Sequence, residues 1–198
     1  EGGGLNVFLR YTYDANEPQA WGMWYKRYLS PSQFEMMKDA FSPGAAQWQV
    51  VPELEVAPGD WLVDKTRFSA MIPGTCDLDA RLKARGIDTL IITGTLTNCC
   101  CESTARDALQ MGYGVIFVSD GNATITDEEH NATLLSMSAI FADVMDTERL
   151  IGLIEASSQT APPPEPRDPM NAVSTPDIDV ADLTIADVQR GFAEGRFT

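Results

Sequence analysis

Histidine and basic residues are what this 198-residue chain has least of, and each shortage excludes something. His130 is the one histidine, so no histidine cluster is available to hold a metal. Lysine and arginine together number 14 against 29 aspartates and glutamates, a formal net charge of −15. That balance argues against nucleic acid and against an anionic membrane surface as partners. Cysteine is scarce too: there are four, of which Cys99, Cys100 and Cys101 are adjacent. They make a poor disulfide framework and point to a reducing, cytoplasmic setting. No Cys-x-x-Cys pair occurs, and three consecutive cysteines cannot all point at one ion, so neither a metal nor another cofactor is expected. No apolar run approaches the length that spans a bilayer, and the first residues do not read as a secretion signal.

What is present is 44% hydrophobic residues, ordinary for a globular protein, on a length that suits one α/β domain plus a tail. The domain is read as residues 1–155. A Pro/Ser-rich, acidic linker over 156–181 and a helical tail over 182–198 follow.

The chain is organised around residues 93–107. Asp88-Thr89-Leu90-Ile91-Ile92 is a short apolar run that reads as a buried parallel strand. Glu102 to Met111 reads as a helix with alanine, leucine and methionine facing inward. A Gly-Thr-x-Thr-Asn turn between them sets the three cysteines at a helix N-terminus, on the carboxyl edge of a sheet. Unpaired N–H groups and the helix dipole gather there. Both lower a thiol pKa and can hold an oxyanion. The alternative is packing, since cysteine is commonly a buried residue.

The other elements follow from local chemistry. Leu5 to Tyr13, rich in β-branched and aromatic residues, reads as a strand. Pro18 to Leu29 carries Trp21, Trp24, Tyr25 and Tyr28, which suits a helix packed in the core or between subunits, or a loop over a substrate. Ser30-Pro31 opens a helix running through Phe41. Gly59 to Lys65 is a strand, Leu78 to Arg85 a helix stopped at Gly86, and Val115 to Val118 a strand ended by residues 119–123. Thr126 with three following acids caps a long helix that holds His130 in its first turns, where a structural role outweighs a catalytic one. A short extended piece begins at Val144 and a further helix at Thr147. Alternating strands and helices argue a parallel sheet wrapped by helices.

Residues 97–108, Thr-Asn-Cys-Cys-Cys-Glu-Ser-Thr-Ala-Arg-Asp-Ala, resemble the nucleophile segment of the isochorismatase-like cysteine hydrolases, G-x-x-T-N-x-C-x-x-S-T-A-R-D-A. The segment Asp64-Lys65-Thr66-Arg67-Phe68-Ser69-Ala70 resembles a second family segment, and the likeness runs from about Leu5 to about Glu155. The resemblance implies a three-layer, doubly wound parallel α/β sheet. It implies Cys100 as nucleophile and Lys65 as the group that stabilises its thiolate. Cys99 and Cys101 take positions that are usually apolar, so replacing them is expected to cost stability at most. Backbone N–H groups of Leu96 and Cys100 are the implied oxyanion hole, and the Thr95–Leu96 bond the implied cis peptide. Arg67 is a candidate clamp for a substrate carbonyl or carboxylate. The family's general base is an aspartate ending its first strand. Asp14 follows what corresponds to the second strand, so the aspartate is expected upstream of Glu1, with the first strand and helix missing from this chain.

Because true isochorismatases lack the cysteine, the resemblance favours hydrolysis of a C–N bond in a small amide or ureide, as in its biuret-hydrolase and ureidoacrylate-hydrolase branches. It also implies a homo-oligomer, a dimer or tetramer, with a small-molecule substrate. A catalytically inactive interaction module and an isochorismatase-type vinyl-ether hydrolase are the alternatives. Residues 182–198 are similar to the first helix of amidase-signature enzymes, and equally to a stray amphipathic tail helix.

Overall fold

A computed structural model describes residues 4–16 and 22–159, with backbone alone for 22–24 and 158–159. Residues 160–181 of the linker and the amidase-like tail therefore lie outside the described residues, as do Trp21 and the Trp24 side chain. The architecture is α/β with parallel strands. β1 (Val7–Tyr11) pairs with β2 (Trp61–Lys65), Val7 opposite Trp61 and Tyr11 opposite Lys65. β3 (Thr89–Thr95), β4 (Gly114–Ala123) and β5 (Asp143–Met145) form a second parallel sheet with β4 in the middle. Parallel pairing demands a crossover between successive strands. Helices α1 (Gly22–Tyr28) and α2 (Pro31–Ala40) cross from β1 to β2, and α3 (Leu78–Ala84) leads from β2 to β3. Helix α4 (Glu102–Gln110) joins β3 to β4, α5 (Asp127–Ser136) joins β4 to β5, and α6 (Thr147–Gln159) follows. Among the described strands, hydrogen bonding divides the α/β layer in two: β1 and β3 each pair along one edge only. Ile91 on β3 and Leu9 on β1 are correspondingly exposed apolar side chains.

One core nevertheless spans both sheets. Val63 of β2, Leu82 of α3, Ala105 and Ala108 of α4, Phe117 of β4 and Met137 all belong to it. Ala105, Ala108, Phe117 and Met137 have no exposed surface. The two alanines explain how α4 reaches β4 so closely, since a larger side chain there has nowhere to go. A second, aromatic cluster joins Tyr25 of α1 to Tyr11, Phe41 and Phe68. Its rings meet at 5.4–6.3 Å between centroids, the spacing at which aromatic pairs attract.

Caps and glycines fix the ends. Ser30 Oγ accepts from Gln33 N while the Gln33 side chain accepts from Ser30 N, a complete capping box with Pro31 in the first helical position. Thr126 Oγ1 accepts from Glu129 N and starts α5. Gly94, at φ 118°, lies where the β3–β4 register shifts between Ile92 and Gly94; residues with a Cβ avoid that backbone. Asn122 spans the shift, donating to Ile92 O at 3.0 Å and Val118 O at 2.6 Å.

Several boundaries differ from those read in the sequence: β1 is shorter than Leu5–Tyr13, and β3 runs on from Ile92 to Thr95. Helical backbone starts at Thr97, not Glu102, because a π-helical turn over Thr97–Cys101 runs straight into α4. β4 does not stop at Val118 but continues through Ala123, carried by pairing of Asn122 and Ala123 with Gly94 and Thr95. α6 continues through Gln159. Among the described residues, no helix is long and apolar enough to cross a membrane.

Candidate active site

Lys65 ends β2, and Cys100 lies in the helical turn after β3, so both stand at carboxyl ends of parallel strands. Ligands of open α/β sheets collect at that edge. Lys65 is only 3% exposed. A buried ammonium must be hydrogen-bonded or paired, and the following loop supplies two acceptors. Lys65 Nζ donates to Arg67 O at 2.9 Å and to Phe68 O at 2.6 Å. The Tyr11 ring lies 5.0 Å from Nζ, within cation–π range. The ammonium also lies near enough to the Cys100 sulfur to favour its charged form.

Three adjacent thiols occupy three different environments. Cys100 is held well below the ordinary thiol range, first by a hydrogen bond from the Cys99 thiol. Burial opposes that shift, while the Lys65 ammonium and the N–H of Leu96 add to it. Cys99 moves the other way, because it keeps the proton it shares with Cys100 and is itself desolvated. Cys101 is buried, and desolvation pushes its thiol up to about 12. Cys99, expected to fill space, thus lies where its S–H can donate to the neighbouring thiolate.

The turn carrying Cys100 is tied down on several sides. The Thr95–Leu96 peptide bond is cis, and Leu96 O accepts from Cys99 N at 3.1 Å and Cys101 N at 3.2 Å. Thr97 is completely buried and its Oγ1 is hydrogen-bonded to His130 Nδ1 at 3.0 Å. His130 thus braces the turn from α5. Thr124 Oγ1 donates to Asn98 Oδ1 at 2.7 Å. On α4, Glu102 accepts from Arg106 Nε at 2.9 Å and Thr133 Oγ1 at 2.9 Å, and Arg106 Nη2 donates to Ser136 Oγ at 2.7 Å. These bonds dock α4 on α5. Thr104 Oγ1 accepts from Ala70 N at 3.1 Å, linking α4 to the Lys65 loop.

The other sequence candidates can be placed. Arg67 lends its carbonyl to Lys65, and its Nη1 donates to Thr66 Oγ1 at 3.1 Å. Asp14 is part of the wall of a separate cleft of about 520 Å³ together with Tyr13, Pro43 and Asp64, and does not meet Cys100 there. Tyr11 and Tyr25 were not marked as site residues by the sequence. They share a hydrogen bond and lie near Cys99 and Cys100, and burial raises both hydroxyls, that of Tyr25 to about 12. Their signal was faint: aromatic residues in a strand and a helix look like packing until the fold brings them to one place. Among the described residues no group of three or more His, Cys, Asp or Glu side chains converges to hold a metal.

Residues 8–149 match the isochorismatase domain family. The chain belongs to the isochorismatase family. It is 45% identical over 107 residues to YwoC, an uncharacterized isochorismatase family protein of Bacillus subtilis, covering 54% of this chain and 56% of YwoC. It is 35% identical over 125 residues to the ureidoacrylate amidohydrolase RutB of Variovorax paradoxus, covering 60% of this chain and 49% of RutB. The chain thus spans about half the length of these curated relatives. A solved cysteine hydrolase from Pseudomonas syringae superposes with a TM-score of 0.68 at 27% identity, over 79% of this chain and 74% of that one. The isochorismatase-family fold is thereby shared over most of both chains.

Proposed function

We propose that this isochorismatase-family chain hydrolyses a C–N bond of a small amide or ureide, with Cys100 as nucleophile. The observation that carries the reading is placement: the Cys100 sulfur and the buried Lys65 ammonium come together at the carboxyl edge of the strands, where the ammonium favours the thiolate. Only the thiolate is a competent sulfur nucleophile. In the proposed sequence Cys100 Sγ adds to the carbonyl carbon and the carbonyl electrons move to oxygen. Collapse breaks the C–N bond, the nitrogen leaves with a proton, and a thioester remains, or a carbamoyl thioester from a ureide. Water then attacks, releases the acid and returns the thiol.

Lys65 stabilises the thiolate and the developing charge. Backbone N–H groups of Leu96 and Cys100 are the proposed donors to the oxyanion. Arg67 is the proposed clamp for a carbonyl or carboxylate of the substrate. In this reading the proton for the leaving nitrogen comes from the aspartate that the resemblance places upstream of Glu1. The likeness to a ureidoacrylate amidohydrolase supports the ureide class. A cytoplasmic homo-oligomer is the proposed form.

The test needs no substrate. Iodoacetamide at neutral pH should alkylate Cys100, located by fragment-ion mass spectrometry, at least about tenfold faster than a free thiol. Alkylation at the free-thiol rate refutes the nucleophile assignment.

A further inference from the structure

A lysine ammonium has three N–H donors. Two of those on Lys65 go to Arg67 O and Phe68 O, so the direction left for Cys100 is set by the backbone of the Arg67–Ala70 loop. That loop is internally braced. Thr66 N donates to Thr75 O at 3.1 Å, Arg67 N to Thr75 Oγ1 at 3.2 Å, Met71 N to Ser69 Oγ at 3.1 Å, and Cys76 Sγ to Ala70 O at 3.3 Å. Internal bracing fixes the loop's shape but not its distance from the nucleophile, which hangs on another sheet. Ala70 N supplies the missing tie by donating to Thr104 Oγ1 across 34 residues of sequence, with Ala70 1% and Thr104 4% exposed. Thr104 stands one helical turn beyond Cys100 on the same continuous run. A buried N–H left without an acceptor is unfavourable, so the loop is held at the one position where Thr104 satisfies it.

We propose that Thr104 is a positioning residue: its hydroxyl, through Ala70 N–H, sets the Lys65 ammonium against the Cys100 sulfur. The inference rests on the nucleophile reading above and adds a residue to it. The titratable groups facing Cys100 are Lys65 from β2, Tyr11 from β1, Tyr25 from α1, and Cys99 and Cys101 from its own turn. The hydrogen bond of Thr104 to Ala70 N runs to the loop whose carbonyls hold Lys65, so the lysine is the route by which a change at Thr104 would reach the sulfur.

The experiment reads the pH dependence of iodoacetamide alkylation at Cys100 in the 198-residue chain, for the wild type, Lys65→Met, Thr104→Val and Thr104→Ser. Thr104→Val keeps the shape and removes the acceptor. It should move the midpoint up by about one pH unit, the same direction as Lys65→Met, while Thr104→Ser restores the wild-type midpoint. Where Lys65→Met shifts the midpoint and Thr104→Val does not, the positioning role is overturned and the nucleophile reading stands. Where Lys65→Met leaves it unmoved as well, the positioning role and the lysine's part in the thiolate are both overturned, while the nucleophile reading falls only if wild-type Cys100 alkylates at the free-thiol rate. If Thr104→Val fails to fold, Thr104→Ala replaces it, and the difference between the alanine and serine variants decides the same question.

Discussion

The two sheets do different work. In the β3–β4–β5 sheet the packing is deepest on the middle strand, where Phe117 and Val118 are essentially without exposed surface, while Ile91 on β3 is exposed. The β1–β2 sheet buries Val63 and Lys65 and leaves Leu62 44% exposed, and it carries the Arg10–Asp64 ion pair at 2.7 Å and the stacking of Arg10 over Trp48. The first sheet contributes the sulfur and the cis turn, the second the ammonium and the aromatic wall. The contrast teaches that the sheet built around a buried middle strand carries the proposed nucleophile, while the two-stranded sheet carries the charged group proposed to tune it.

Three changes break or sharpen that contrast. The largest effect belongs to Cys100→Ala, which should abolish the proposed hydrolysis of amides or ureides and leave the circular dichroism spectrum unchanged. Retained turnover would show that the β3–β4–β5 sheet does not carry the nucleophile. Next comes Phe117→Ala, which should lower stability in urea unfolding by about 3–5 kcal/mol, against less than about 1 kcal/mol for Leu62→Ala. Equal losses would erase the distinction between the sheets. The smallest is Cys99→Ala. Alkylation of Cys100 rises with pH as the thiolate forms, and a depressed pKa puts that rise below the free-thiol range. Removing the Cys99 donor should move the rise to higher pH without unfolding the chain. An unmoved profile would return Cys99 to a purely space-filling part.

The elements with local chemistry were legible in the sequence. Ser30-Pro31 and Thr126 start their helices with the side-chain bonds that those residues make anywhere. Lys65 and Cys100 were legible through the family segments around them, and the structure brings the two together. The start of helix at Thr97 was hidden because asparagine, threonine and cysteine are weak helix formers; the turn is held by Leu96 O and by Thr97's contact with His130, which no local pattern reports. The extension of β4 was hidden likewise, since Ser119-Asp120-Gly121 reads as a turn and pairs as a strand only through Gly94 and Thr95. The Ala70–Thr104 bond joins residues 34 apart, and a sequence gives no reason to pair a backbone N–H with one hydroxyl among many.

Because the ammonium arrives on one sheet and the sulfur on another, the lysine's share in activating the proposed nucleophile exists only once the two have docked. Before then the thiol has only the donors of its own turn, and on this reading is slower toward electrophiles and peroxides. Completion of the tertiary structure would thus bring the sulfur to full reactivity only when the chain around it is already folded.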